Sequence, residues 1–180
     1  RSTLCPYTTL FRSSKSPVGP WEKWNGSGWT TGTDVQPMIR YTDDPKKFGA
    51  GEPSFVVLGD SVYCYYTWNA TGDESITTRL VTADANDPNW PAHLNFHGTV
   101  INKSDIKGAD HCDVKYRDDL KKFQAIHAAQ RMGPDSYIVL WESEDGIHFT
   151  RKGEIRDNLK PYLHNCGWSG DGRGHMRKGV

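Results

Sequence analysis

The feature that most limits what this chain can fold into is a repeat of 59 residues. Gly49-Ala50-Gly51-Glu52 and Gly108-Ala109-Asp110-His111 open two similar units, and Trp90 and Phe149 close them at the same offset. Each opening leads to a hairpin, a third strand and a turn that ends on an aromatic. Those turns are Asp87-Pro88-Asn89-Trp90 and Asp145-Gly146-Ile147-His148-Phe149. Gly19-Pro20-Trp21 closes an earlier unit, and the 69 residues from Trp21 to Trp90 place an insertion within residues 22–48. Four strands every 50–60 residues or so is the period of a propeller blade. Such sheets bury their faces against one another, so several are needed.

The local pattern agrees. Phe55-Val56-Val57-Leu58, the turn Gly59-Asp60 and Val62-Tyr63-Cys64-Tyr65-Tyr66-Thr67-Trp68 predict a hairpin rich in β-formers. Val114-Lys115-Tyr116, the turn Arg117-Asp118-Asp119 and Phe123 to Ala128 repeat it. Residues 75–82 and 137–141 predict further strands. Helical periodicity is hard to find.

Composition excludes other classes. Twenty-two basic residues balance twenty-two acidic ones, which argues against a nucleic-acid backbone or an anionic membrane as partner. No apolar run approaches the roughly 20 residues of a membrane span. Seven Trp and eight Tyr are too many for a disordered chain. Leu4 to Ser13 resembles the translation of a sequencing-library adapter, with a departure at Cys5. Residues 1–13 are therefore expected to be non-native, and residues 14–180 to be a fragment beginning inside a unit. Cys64, Cys112 and Cys166 then remain, expected as small buried residues on strands.

In a propeller the first strand of each blade lines the central channel. Glu52, Asp113 and Asp171 stand 61 and 58 residues apart, close to the repeat, so they are candidates to converge there. Converging carboxylates repel, which separates a proton donor from a base. Glycosidic cleavage needs that pair. The alternative for each acid is a turn cap or an ion pair. Catalysis predicts Glu52 and Asp113 in one open pocket; sugar binding without cleavage predicts each held by an Arg or Lys.

His111, two residues before Asp113, is placed to bind a sugar hydroxyl, to steer the carboxylate or to bond backbone. Trp168 is the candidate stacking platform for a sugar ring, while Trp68 and Trp141 fit core packing. Trp24 and Trp29 are candidates for a pocket mouth. Arg131 is placed to clamp a carboxylated sugar or to pair with Asp135. His175 follows a Gly-rich turn. The cysteines lack a paired metal signature.

Ser13-Ser14-Lys15-Ser16-Pro17-Val18-Gly19-Pro20-Trp21, Gly51-Glu52-Pro53-Ser54-Phe55-Val56-Val57, His111-Cys112-Asp113-Val114-Lys115 and Ser143-Glu144-Asp145-Gly146-Ile147-His148-Phe149 resemble segments of five-bladed β-propeller glycoside hydrolases. The similar group is the family 43-like set of arabinofuranosidases, xylosidases and arabinanases. Asn165 to His175 resembles a late-blade motif of that set. The resemblance implies an all-β chain: a partial five-bladed β-propeller of four-stranded antiparallel blades, with about two to three blades present. It implies a carbohydrate substrate from plant or algal polysaccharide, and neither nucleic acid nor membrane as partner. It also implies a monomer when full length, and secretion or periplasmic export. Glu52, followed by Pro53, matches the setting of the family's glutamate acid, and Asp113 that of a tuning or sugar-binding aspartate. The order of the two departs from the family's, and the base belongs to an early blade outside this chain. On that account the fragment alone is inactive. No cofactor is implied beyond a calcium on the axis near His175.

Overall fold

The computed structural model describes residues 8–9, 12–14, 16, 18–43, 46–47, 49–69 and 76–176. The described residues are all-β, as the pattern predicts, with one short 3-10 turn at Trp90–Ala92. None of their helices is long and apolar enough to cross a membrane. The strands are β1 (Thr8–Thr9), β2 (Arg12–Ser13), β3 (Glu22–Trp24), β4 (Trp29–Thr30), β5 (Ile39–Arg40), β6 (Ala50–Leu58) and β7 (Ser61–Trp68). There follow β8 (Thr77–Asp84), β9 (Asn95–Ile101), β10 (Asp113–Arg117), β11 (Lys122–Ala129), β12 (Tyr137–Ser143), β13 (Thr150–Ile155) and β14 (His175–Met176). Of the segment read as foreign, only β1 and β2 are described, pairing with β5 and β3; the rest of that reading lies outside the described residues.

Two sheets carry the molecule. The first is the antiparallel meander β6-β7-β8-β9, and the second runs β10-β11-β12-β13 in the same order, with β14 parallel to β10 on its edge. The first hairpin closes on Gly59 with φ 58°, the sign that a type II′ turn requires at its first central residue. Side chains on β7 alternate as a strand demands. Tyr65 joins the core shared with the second sheet, alongside Val56, Leu80, Val114, Phe123, Ala125 and Val139. Cys64, Tyr66 and Trp68 point the other way, onto Met38 and Ile39. β7 is thus buried on both faces from Cys64 to Trp68, which explains why its aromatics fall on both sides of the strand.

Two glycines fix how the sheets meet. The Gly146 carbonyl accepts a hydrogen bond from the fully buried Tyr65 hydroxyl at 2.8 Å. A Cβ on Gly146, whose φ is 77°, would lie 2.7 Å from that hydroxyl. Gly174 (φ 78°) lets the segment 171–176 slip between the edges of β6 and β10; a Cβ there would stand 2.1 Å from the Phe55 carbonyl oxygen. Val57 N–H donates to the Arg173 carbonyl and Tyr116 N–H to the Gly174 carbonyl, both at 2.9 Å. Val57 and Tyr116 are repeat partners, so one segment satisfies the same edge position of both sheets.

Trp24 and Trp29 do not frame a pocket. Trp24, Trp29, Trp90 and Phe55 form a row of tilted and edge-on rings with neighbouring centroids 5.6–6.4 Å apart. The Trp29 indole donates to the Pro88 carbonyl at 2.7 Å. Burying aromatic area between the β2-β3-β4 sheet and the first sheet outweighs leaving it at a rim. Trp68 and Trp141 are buried in cores, as expected.

Candidate functional site

The starts of β6 and β10 lie side by side, and a cavity of about 330 Å³ opens between them. Glu52, Ser54, His111, Asp113, Asn165 and Cys166 line it. Cavities of about 420 and 490 Å³ occur at outer turns. They are rimmed by exposed polar side chains, several paired with one another, such as Lys122 with Glu142 and His148 with Asp145. The smaller cavity is the candidate site because it gathers a strained backbone and buried charge.

Glu52 sits where the β6–β7 register slips between Gly51 and Ser54. Its φ is 50°, in the left-handed region. That conformation costs a non-glycine residue about 1–2 kcal/mol, and bulges of this kind re-aim side chains beside active sites. The Thr67 hydroxyl donates to Glu52 Oε2 at 3.2 Å. The carboxylate is one-third exposed, and its nearest basic neighbour is His111 Nδ1, 3.7 Å from Oε1.

Asp113 is placed in the same cavity but differently. Oδ1 accepts from the Ser54 hydroxyl at 2.8 Å and from Lys115 Nζ at 2.5 Å, and Oδ2 accepts from the Trp168 N–H at 2.7 Å. Lys115 neutralises it, and three donors hold it rigid. The repeat explains the contact: Ser54 and Asp113 are 59 residues apart. So are Glu52 and His111, which makes His111, not Asp113, the positional equivalent of Glu52.

Asp110, which the sequence reading passed over, anchors this corner. Its side chain is 1% exposed. Oδ1 accepts from the His111 N–H at 2.9 Å, and Oδ2 lies 3.2 Å from Arg131 Nη1. With its side-chain O and N exchanged, the Asn165 amide donates to Oδ2 at 3.0 Å. The Asp110 N–H donates to the Ala128 carbonyl, and its carbonyl accepts from the fully buried Lys103 Nζ at 2.6 Å. Burial works against the charged carboxyl, but His111 and Arg131 outweigh it and hold its pKa down at about 2. The Asp110 carboxylate in turn raises the His111 pKa, against burial and with help from Glu52. The only sequence signal for Asp110 was its place in the repeated opening.

The other candidates fall elsewhere. Arg131 pairs with Asp110 across the fold rather than with nearby Asp135. Asp171 Oδ1 accepts from the Arg173 and His175 N–H groups at 2.9 and 3.0 Å, a turn cap on the inserted segment. It is not among the side chains lining the cavity. His175 Nδ1 faces Asp118 at 2.9 Å and Nε2 faces the Val57 carbonyl at 2.8 Å, so both ring nitrogens are occupied. Trp168 reaches the cavity through its backbone; its indole N–H is buried without a partner among the described residues. Burial raises the Cys166 thiol to about 12, and Cys64, Cys112 and Cys166 are free thiols. Glu52, Asp110 and His111 offer ligand atoms within 4.8 Å of one another, but a cation there must compete with the Arg131 guanidinium for Asp110.

No protein-family model matches the chain, and no curated protein is significantly similar to it. A solved structure that it resembles is a glycosyl hydrolase from Bacteroides ovatus, 15% identical with a TM-score of 0.45, over 84% of this chain and 46% of that one. The chain spans about half the length of that structure. At this identity and superposition the likeness decides nothing about chemistry.

Proposed function

We propose that the protein carrying this chain is a five-bladed β-propeller glycoside hydrolase of the family 43-like kind. It acts on plant or algal polysaccharide or oligosaccharide with arabinofuranosidase- or xylosidase-like chemistry. The meanders β6–β9 and β10–β13 are two of its blades, β6 and β10 their channel-lining strands, and the protein is a secreted or periplasmic monomer. The observation that carries this reading is Glu52: a carboxylate on a strained bulge, free of any Lys or Arg contact among those described, facing a cavity at the start of β6.

In this reading Glu52 exchanges the proton with the departing glycosidic oxygen. Asp113, held by Lys115, Ser54 and the Trp168 N–H, keeps a fixed charge and orients sugar hydroxyls or the acid. Inverting hydrolysis also needs a base on the far side of the sugar, roughly 6.5–9.5 Å away, with a water between. The early-blade aspartate implied by the resemblance fills that role outside this chain. Calcium on the axis is not supported by His175, whose ring nitrogens are both engaged, and no step runs through a metal.

The test is turnover of chromogenic pentosides and hexosides by the full-length gene product. Glu52→Gln is expected to lower kcat by about 10²–10⁴ with an unchanged circular-dichroism spectrum; unchanged turnover removes Glu52 from catalysis. The Lys115 contact on Asp113 favours a second reading, sugar binding without cleavage. Saturable oligosaccharide binding with no turnover of any glycoside is its signature.

A further inference from the structure

We propose that Thr67 is the positioning residue of Glu52: its hydroxyl holds Oε2 and leaves Oε1 as the oxygen that exchanges the proton. This rests on the reading of Glu52 as the proton-exchanging group. Three observations carry it. The fully buried Thr67 hydroxyl donates to Glu52 Oε2 at 3.2 Å. His111 stands 3.7 Å from Oε1, beyond hydrogen-bond range, so among the described residues Thr67 is the group that fixes the carboxylate. The second observation is the strand geometry. Thr67 pairs with Gly51, so in a regular ladder the two share a face and residue 52 points the other way. The register slip after Gly51 and the left-handed φ of 50° turn the Glu52 carboxylate back to Thr67. The strained bulge and the hydrogen bond form together.

The third observation comes from the repeat. Ser54 pairs with Tyr65, and its repeat partner Asp113 pairs with Ile126, which makes Ala128 the equivalent of Thr67. The hydrogen bond from the Asp110 N–H to the Ala128 carbonyl agrees, because Asp110 stands in the place of Gly51. Where the first repeat has Glu52 and Thr67, the second has His111 and Ala128. Thr67 and Ala128 are both buried. A methyl group therefore suffices to pack this strand position, and the hydroxyl occurs in the repeat that carries the carboxylate. A buried hydroxyl that loses its acceptor is destabilising, so Thr67 resists rotation of the carboxylate. The contact suits both protonation states, since Oε2 accepts from Thr67 whether or not Oε1 carries the proton. On transfer the Oε1–H bond breaks, its electron pair stays on Oε1, and the proton joins the departing glycosidic oxygen.

A double-mutant cycle in urea unfolding of the 180-residue chain tests the contact, and turnover of the full-length protein tests its use. Thr67→Val removes the hydroxyl and keeps the shape. It is expected to lower the folding equilibrium constant about threefold to tenfold in the wild type. In Glu52→Ala, which keeps the backbone strain and has no acceptor, it should leave that constant unchanged or raise it. If Thr67→Val does not fold, Thr67→Ala, the side chain that the second repeat carries, takes its place. In the full-length protein Thr67→Val is expected to lower kcat about 10–10²-fold with KM unchanged, and Thr67→Ser to restore most of it. Combined with Glu52→Gln it should add little to the loss. An equal loss of stability in both backgrounds overturns the proposal, because the hydroxyl then serves packing alone. So does full turnover in Thr67→Val where Glu52→Gln is inactive, a result that leaves the hydrolase reading intact. If the cycle shows the coupling while the full-length wild type hydrolyses no glycoside, the contact stands and its catalytic use falls with the hydrolase reading.

Discussion

The two sheets share the order of their first four strands but differ in what they bury. Inside β6–β9 the buried polar residues are serines and threonines, beside Tyr65, Tyr66 and Trp68. The second sheet and its entry loop bury His127, Gln124 and Asp110. His127 stacks on Trp141 and donates through its Nδ1–H to the Ala128 carbonyl at 3.0 Å. The first repeat buries mostly aromatic rings and brings Glu52 and Ser54 to the cavity; the second brings His111 and Asp113 and the buried Asp110 beside them. Duplicated sheets can thus bury different side chains while both contribute to one cavity.

The comparison is broken most forcefully by acid. Burial, with Lys103 adding, pushes the His127 pKa down to about 3. The folded state keeps this imidazole neutral, so its contribution is present above the ordinary value near 6.5 and is lost as pH falls toward 3. Asp110, held near 2, adds a loss between about pH 4 and 2. Together these remove on the order of 4 kcal/mol by pH 3. Hydrogen exchange at pH 4 should show β11 and β12 losing protection before β7 and β8. His127→Gln should flatten the acid limb of urea-unfolding stability. Equal loss in both sheets would erase the distinction.

The shared edge is next. Gly174→Ala forces a side chain onto the Phe55 carbonyl at a left-handed φ. It should destabilise both sheets together by about 3 kcal/mol, read as one cooperative shift of the urea midpoint. A change confined to the second sheet would mean that the segment 171–176 belongs to that sheet alone.

Asp113 and Glu52 should respond with opposite signs. Asp113→Asn leaves Lys115 beside a neutral partner and should lower stability by about 1–3 kcal/mol in chemical denaturation. Glu52→Gly relieves the left-handed strain and should raise stability by up to about 1 kcal/mol, while abolishing turnover in the full-length protein. A carboxylate whose removal stabilises the fold is retained for chemistry; one whose removal weakens it is part of the scaffold.

Much of this was legible in the sequence. The apolar run 55–58 with Gly59-Asp60 and the aromatic β7 fixed the first hairpin, and the 59-residue offset placed the second. The described strand Thr77–Asp84 runs two residues past the predicted end, and the predicted start at Ser75 lies outside the described residues. The meeting of Glu52 and Asp113 in one cavity followed from placing both at the opening of a repeated unit. Their pairing did not: a spacing of 61 made them look equivalent, while the bulge at Glu52-Pro53 and the 59-residue register pair Glu52 with His111 and Ser54 with Asp113. Contacts between distant segments left no local trace. Arg131 chose Asp110, 21 residues away, over a neighbour four residues on. The insertion of Gly174 between β6 and β10 depends on a carbonyl 119 positions earlier. Asp110 drew no reading of its own because its burial is made by loops that the sequence shows only as polar.

The central claim is that the starts of β6 and β10 form one sugar site. Amide chemical-shift mapping of the chain with arabino- and xylo-oligosaccharides tests it most directly. The account predicts saturable shifts at Glu52, Thr67, His111, Asp113 and Asn165 to Trp168, with the outer cavity around Lys122 and Lys152 unmoved. Shifts gathered at that outer cavity, or none at the inner one at millimolar sugar, would contradict it.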